Sequence, residues 1–108
     1  MQIEHIQQPD NTLMLVIHGD MDAHGCSEIQ PELDAVVNEE HITDVTLNLS
    51  NVNFLDSSGI GAIVFLFKRL KAKDYTLSLV QVHGQPMEII QLLRINSAIP
   101  VEVASRDS

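Results

Sequence analysis

Five apolar residues stand in an unbroken row, Leu13-Met14-Leu15-Val16-Ile17, and are closed by His18 and Gly19-Asp20. The run is too short for an ordinary helix and ends at a turn signal, so Thr12 to His18 reads as a buried strand. Just ahead, Gln2 to Gln7 carries Ile3 and Ile6 without a helical stripe, and Pro9-Asp10-Asn11 supplies turn residues. A connection that short joins the two strands antiparallel.

Helix and strand signals then alternate. Ser27 and Gln30 have capping-box spacing, and Ile29, Leu33, Val36 and Val37 follow at helical intervals before Glu39-Glu40-His41 ends the pattern. Pro31 lies near enough to the expected start to be tolerated. Thr43 to Leu49 alternates Val45, Leu47 and Leu49 as a third strand. Asp56-Ser57-Ser58-Gly59 leads into a long helical pattern, Ile60 to Lys73, with Asp and Ser as good caps and Lys68, Arg69, Lys71 and Lys73 complementing the helix dipole near its end. Thr76 to Val82 reads as a fourth strand, and Gly84-Gln85-Pro86 opens a third helix with Pro86 at its first position. Pro100 to Val103 forms a last short strand, and Ser105 to Ser108 a polar tail. The order is β-β-α-β-α-β-α-β: an α/β fold with a mixed four- to five-stranded sheet, parallel apart from one antiparallel edge. Residues 1–108 are expected to form one domain, with Leu15, Ile17, Val45, Leu47, Leu49, Ile63, Phe67, Leu77, Leu79 and Ile90 in one core.

Charge narrows the partners. Lys and Arg number 6 against 15 Asp and Glu, a net charge of −9, which disfavours binding to nucleic acid or to an anionic membrane surface. The apolar stretch Ile60 to Phe67 falls far short of the roughly 20 residues of a membrane span. Met1 to Asp10 lacks the apolar core of a signal peptide, and the lone Cys26 suits a reducing compartment, so a cytoplasmic location is expected.

The densest set of ligand-type residues is His18 to Cys26. Asp20, Asp22, His24 and Gly25 fit the opening of a calcium loop, but Pro31 stands where a bidentate Glu is needed. His24 and Cys26 have no second pair at zinc spacing. Ser57 lacks a Gly-x-Ser-x-Gly frame, and Gly59 and Gly61 lack the Lys-Ser/Thr of a phosphate loop. No catalytic constellation emerges, so the chain reads as a binding module with no cofactor of its own. The remaining feature, Asp56-Ser57-Ser58-Gly59 at a strand-to-helix junction, suits either a plain helix cap or a serine phosphorylation switch.

Here the sequence resembles a known family. Leu47-Asn48-Leu49-Ser50-Asn51-Val52-Asn53-Phe54-Leu55-Asp56-Ser57-Ser58-Gly59-Ile60-Gly61 is similar to the signature of STAS domains of the bacterial anti-sigma factor antagonist type. Gly19-Asp20-Met21-Asp22 is similar to the family's Gly-x-hydrophobic-Asp motif. The resemblance implies a domain that binds an anti-sigma factor that is also a serine kinase, which modifies Ser57, and a metal-dependent serine phosphatase that restores it. The metal and ATP belong to those enzymes. Gly25 and Pro31 depart from the family pattern and predict a first helix that starts late or is irregular. Periodicity alone does not choose between Ser57 and Ser58. The same resemblance leaves open an adaptor subunit of another assembly, such as a lipid transporter or stressosome-type complex, or a switch outside transcription such as biofilm control. Retention of Ser57 favours the phosphorylation switch.

Helical geometry predicts the docking face. At 100° per residue, Ile60, Ile63, Val64, Leu66, Phe67 and Leu70 turn toward the sheet. The opposite side collects Ser58, Gly61, Ala62, Phe65, Lys68, Arg69 and Ala72. Small residues near the serine admit a partner's backbone, and Phe65 beside two cations makes an anchor with a polar rim. With Asp22, Asp56 and Gly59, these residues from Ser58 to Arg69 form the expected partner-binding set.

Overall fold

The computed structural model describes residues 1–104; the tail expected at Ser105 to Ser108 lies outside the described residues. Strands β1 (Gln2–Gln8) and β2 (Thr12–His18) form a hairpin. Its turn places Asp10 and Asn11 in left-handed backbone, φ 63° and 61°, which Asp and Asn enter more readily than other side chains. Helix α1 (Ala23–Val37), β3 (Asp44–Asn51), α2 (Ser57–Ala72), β4 (Thr76–Val82), α3 (Gly84–Leu92), a short 3-10 turn (Ile95–Ser97) and β5 (Val101–Val103) follow.

The sheet runs β1-β2-β3-β4-β5, with β1 antiparallel to β2 and every later pair parallel. Each parallel connection steps one place in the same direction, so right-handed crossovers put all three helices on one face. Leu13, Leu15 and Ile17 of β2, Val45, Leu47 and Leu49 of β3, and Leu77 and Leu79 of β4 are buried beneath them. On the other face Met14, Thr46, Asn48 and Ser78 are half-buried, with the Thr46 and Ser78 hydroxyls 3.4 Å apart. The apolar run of β2 is therefore buried most completely on its helix-facing side. The buried residues of helices and strands form one continuous cluster, and Phe67, expected inside it, packs only half-buried at its margin.

Two helix starts differ from expectation. Helix α1 begins at Ala23, not near Ser27, because Asp22 caps it: its carboxylate accepts from Gly25 N–H at 2.8 Å. Ser27 is already helical, its hydroxyl donating to the His24 carbonyl at 3.0 Å. Gly25 is needed there, since a Cβ on it would lie 2.8 Å from the Asp20 carbonyl oxygen. Pro31 sits inside α1 at an exposed position, where water can reach the carbonyl its ring leaves unbonded. In α3, His83 is the N-cap, so Pro86 is the third helical residue rather than the first. No helix among the described residues is long and apolar enough to cross a membrane.

Candidate functional site

The site is built where the parallel strands end. Near the end of β2 the register with β3 shifts between Val16 and His18, and the chain then turns at Gly19, φ 117°, to bring Met21 beside Leu55 in a parallel bridge. Met21 N–H donates to the Phe54 carbonyl at 2.9 Å, and Asp56 N–H donates to the Met21 carbonyl at 3.4 Å. The next residue of each segment is an aspartate, and each caps a helix. Asp22 caps α1; Asp56 caps α2, one carboxylate oxygen accepting from Ser58 N–H at 2.8 Å and Gly59 N–H at 3.1 Å. One bridge thus sets the two helices starting side by side.

On the far side of Leu55 the partner is a side chain. Leu55 N–H donates to Gln85 Oε1, and Gln85 Nε2 donates to the Leu55 carbonyl, both at 2.8 Å. Next to this clamp, His83 Nε2 lies 3.0 Å from the Ser50 carbonyl oxygen, which can accept from it. Met21 was marked only as the hydrophobic position of Gly19-Asp20-Met21-Asp22, without its bridge to Leu55, and for Gln85 a glutamine between Gly84 and Pro86 at a helix start was the one local signal.

Ser57, first residue of α2, is exposed, whereas Ser58 is half-buried. Ser58 belongs to an open groove between α1 and α2, about 460 Å³, lined also by Cys26, Ser27, Gln30, Gly61, Ala62 and Phe65. Burial, and then the charges of Asp56 and Asp22, push the Cys26 thiol above the ordinary range, which keeps it protonated at neutral pH.

Phe65 is half-buried beneath Arg69, whose guanidinium lies 5.2 Å from the ring centroid, and Lys68 is exposed. Ala62 departs from the expected open face: it is 7% exposed and part of the core. The reason is that α2 buries a second flank, against α1, besides the one on the sheet. Ala62 thereby becomes groove floor. Gly59 is buried as well, where a Cβ would meet the Met21 carbonyl oxygen at 2.5 Å. At the far end, Lys73 Nζ donates to the Val37 carbonyl at 2.7 Å and ties the ends of α2 and α1 together.

A mixed sheet covered on one face, with two capped helices presenting a serine at its edge, defines an α/β domain of the STAS architecture. The chain belongs to the STAS domain family, whose sequence model matches residues 4–107. A relative from Paenibacillus polymyxa named an anti-sigma F factor antagonist is 22% identical over 101 residues, spanning 94% of this chain and 86% of its own. An anti-sigma factor antagonist from Mycobacterium paratuberculosis superposes with a TM-score of 0.81 at 20% identity, covering 94% of this chain and 86% of that one. The phosphorylated form of SpoIIAA, a Bacillus cell fate determinant, gives a TM-score of 0.72 at 17% identity, with 93% and 90% covered. At such identities the structures speak for the fold.

Proposed function

We propose that this chain is a phosphorylation-controlled partner-switching regulator of the anti-sigma factor antagonist kind. In this reading it acts as one domain and is not itself an enzyme. Its unphosphorylated form binds an anti-sigma factor that is also a serine kinase, the kinase modifies Ser57, and a metal-dependent serine phosphatase resets it. The observation that carries the reading is the exposure of Ser57 at the first position of α2, beside the open groove. Ser58, Gly61, Ala62, Phe65, Lys68 and Arg69 make the docking surface, while Asp22, Asp56 and Gly59 hold its backbone in place.

The physics of release is electrostatic. Asp56 already accepts from the N–H groups of Ser58 and Gly59, so a phosphate on Ser57 finds these first-turn donors engaged and stays hydrated. It adds roughly −1.5 to −2 charges on a chain of net charge −9. A partner docking closely must strip that dianion of water, at a cost of several kcal/mol, and each 1.4 kcal/mol is about tenfold in affinity.

The test is a pull-down comparing Ser57→Ala and Ser57→Asp, with mass spectrometry of the captured proteins and of the phosphosite. Both variants should fold, and Ser57→Ala should hold the kinase while Ser57→Asp loses it. Equal affinity of the two variants for the kinase would refute the switch.

A further inference from the structure

We propose that Gln85 is a positioning residue for Ser57: its side-chain amide completes the pairing of Leu55 and so fixes the angle at which the serine is presented. This rests on the reading of Ser57 as the modified serine. Leu55 has no exposed surface, so water cannot take over its two backbone groups. The Met21 bridge engages the flanking groups of Phe54 and Asp56, which leaves the N–H and carbonyl of Leu55 itself pointing the other way. Gln85 meets both, as a neighbouring strand would.

The chain is bent to make this contact. The β4–β5 register shifts between Leu79 and Val82, and both Gln81 (φ 58°) and Gly84 (φ 61°) take left-handed backbone just before Gln85. A side chain at Gln81 is disfavoured in that region, and such departures persist where the surrounding structure holds them. A primary amide of this length presents a donor and an acceptor side by side, matching one peptide group. Methionine offers neither, and ionised glutamate offers only the acceptor. Loss of the clamp frees the residue two places before Ser57, and with it the Asp56 cap.

The experiment uses the full chain labelled with 15N, as Gln85→Met, as Gln85→Glu should the first fold poorly, and as a Gln91→Met control on the exposed side of α3. Amide exchange at Leu55 should quicken roughly tenfold or more in the Gln85 variant, the scale of one lost hydrogen bond. Order parameters at Ser57 and Ser58 should fall from about 0.85 toward about 0.6, while Leu15 and Ile17 and the control stay unchanged. With the kinase recovered by the Ser57 pull-down, kcat for Ser57 phosphorylation should drop roughly tenfold with little change in KM, as expected for misorientation. Unchanged order at Ser57 and Ser58, or unchanged kcat despite a loosened segment, would overturn the proposal. If the unmodified chain is never phosphorylated on Ser57, the Ser57 reading fails instead, and the exchange data still judge the clamp.

Discussion

The Met21 carbonyl oxygen occupies the space that a side chain on Gly59 would fill. A Cβ built there would lie 2.5 Å from that oxygen and 2.3 Å from Leu55 Cδ1. The contact joins the inter-segment bridge to the first turn of α2, so the glycine sets how closely the two capped helices begin.

Gly59→Ala should therefore destabilise the fold by about 1–3 kcal/mol, even though alanine is the better helix former by about 1 kcal/mol. Gly61→Ala, with nothing within 4 Å of its Cβ, should instead stabilise by about 0.5–1 kcal/mol. Urea unfolding of the two variants checks the contrast in sign.

On the proposed function, Phe65→Ala should weaken binding of the anti-sigma factor partner by more than about 1 kcal/mol without a comparable loss of stability, because the ring is a half-buried groove wall. Lys68→Glu should mainly slow association and reduce its salt sensitivity, since the side chain is exposed and its charge acts at a distance. Surface binding kinetics at two salt concentrations separate the effects. A Phe65→Ala variant of unchanged affinity counts against this docking face.

Leu47 is 2% exposed at the centre of β3, so Leu47→Ala should cost about 2–5 kcal/mol. Calorimetry would show this as a lowered Tm with the transition still cooperative.

Cys26 gives a dependence on pH. Its thiol is raised in the folded chain, chiefly by burial and further by Asp56 and Asp22, whereas an unfolded chain ionises near pH 8.5 (about the free-thiol value). The folded state then holds a proton that the unfolded state gives up. Stability from this group is full below about pH 8.5 and declines as pH rises. Cys26→Ala should flatten that decline relative to the unmodified chain, and iodoacetamide should label the native thiol slowly at about pH 8.

How far the sequence revealed this follows the range of the forces involved. Strands β2 and β4 lie where their short apolar patterns placed them, because a buried strand shows its character within a few residues. The start of α1 was hidden because Ser27 and Gln30 offered a competing cap signal, and Gly25, a poor helix former, shows its fit beside the Asp20 carbonyl only once the turn at Gly19 is folded. Ala62 was assigned to the open side because a single helix has no record of the second helix beside it. Asp56 was legible as a cap from its neighbours alone. Gln85 was not, since its partner lies 30 residues away along the chain.

The chain-order arrangement of the sheet also bears on synthesis. Each strand can pair with the one made before it, and no gap waits for a later insertion. The walls of the groove, α1 and α2, are complete before α3 exists, but Gln85 emerges 30 residues after Leu55. At about 5–20 residues per second, that interval lasts a few seconds on the ribosome. Stalled chains ending before and after α3 should differ in exchange at the Leu55 amide. On the proposed role of Gln85, a newborn chain makes a poor kinase substrate until its third helix has docked.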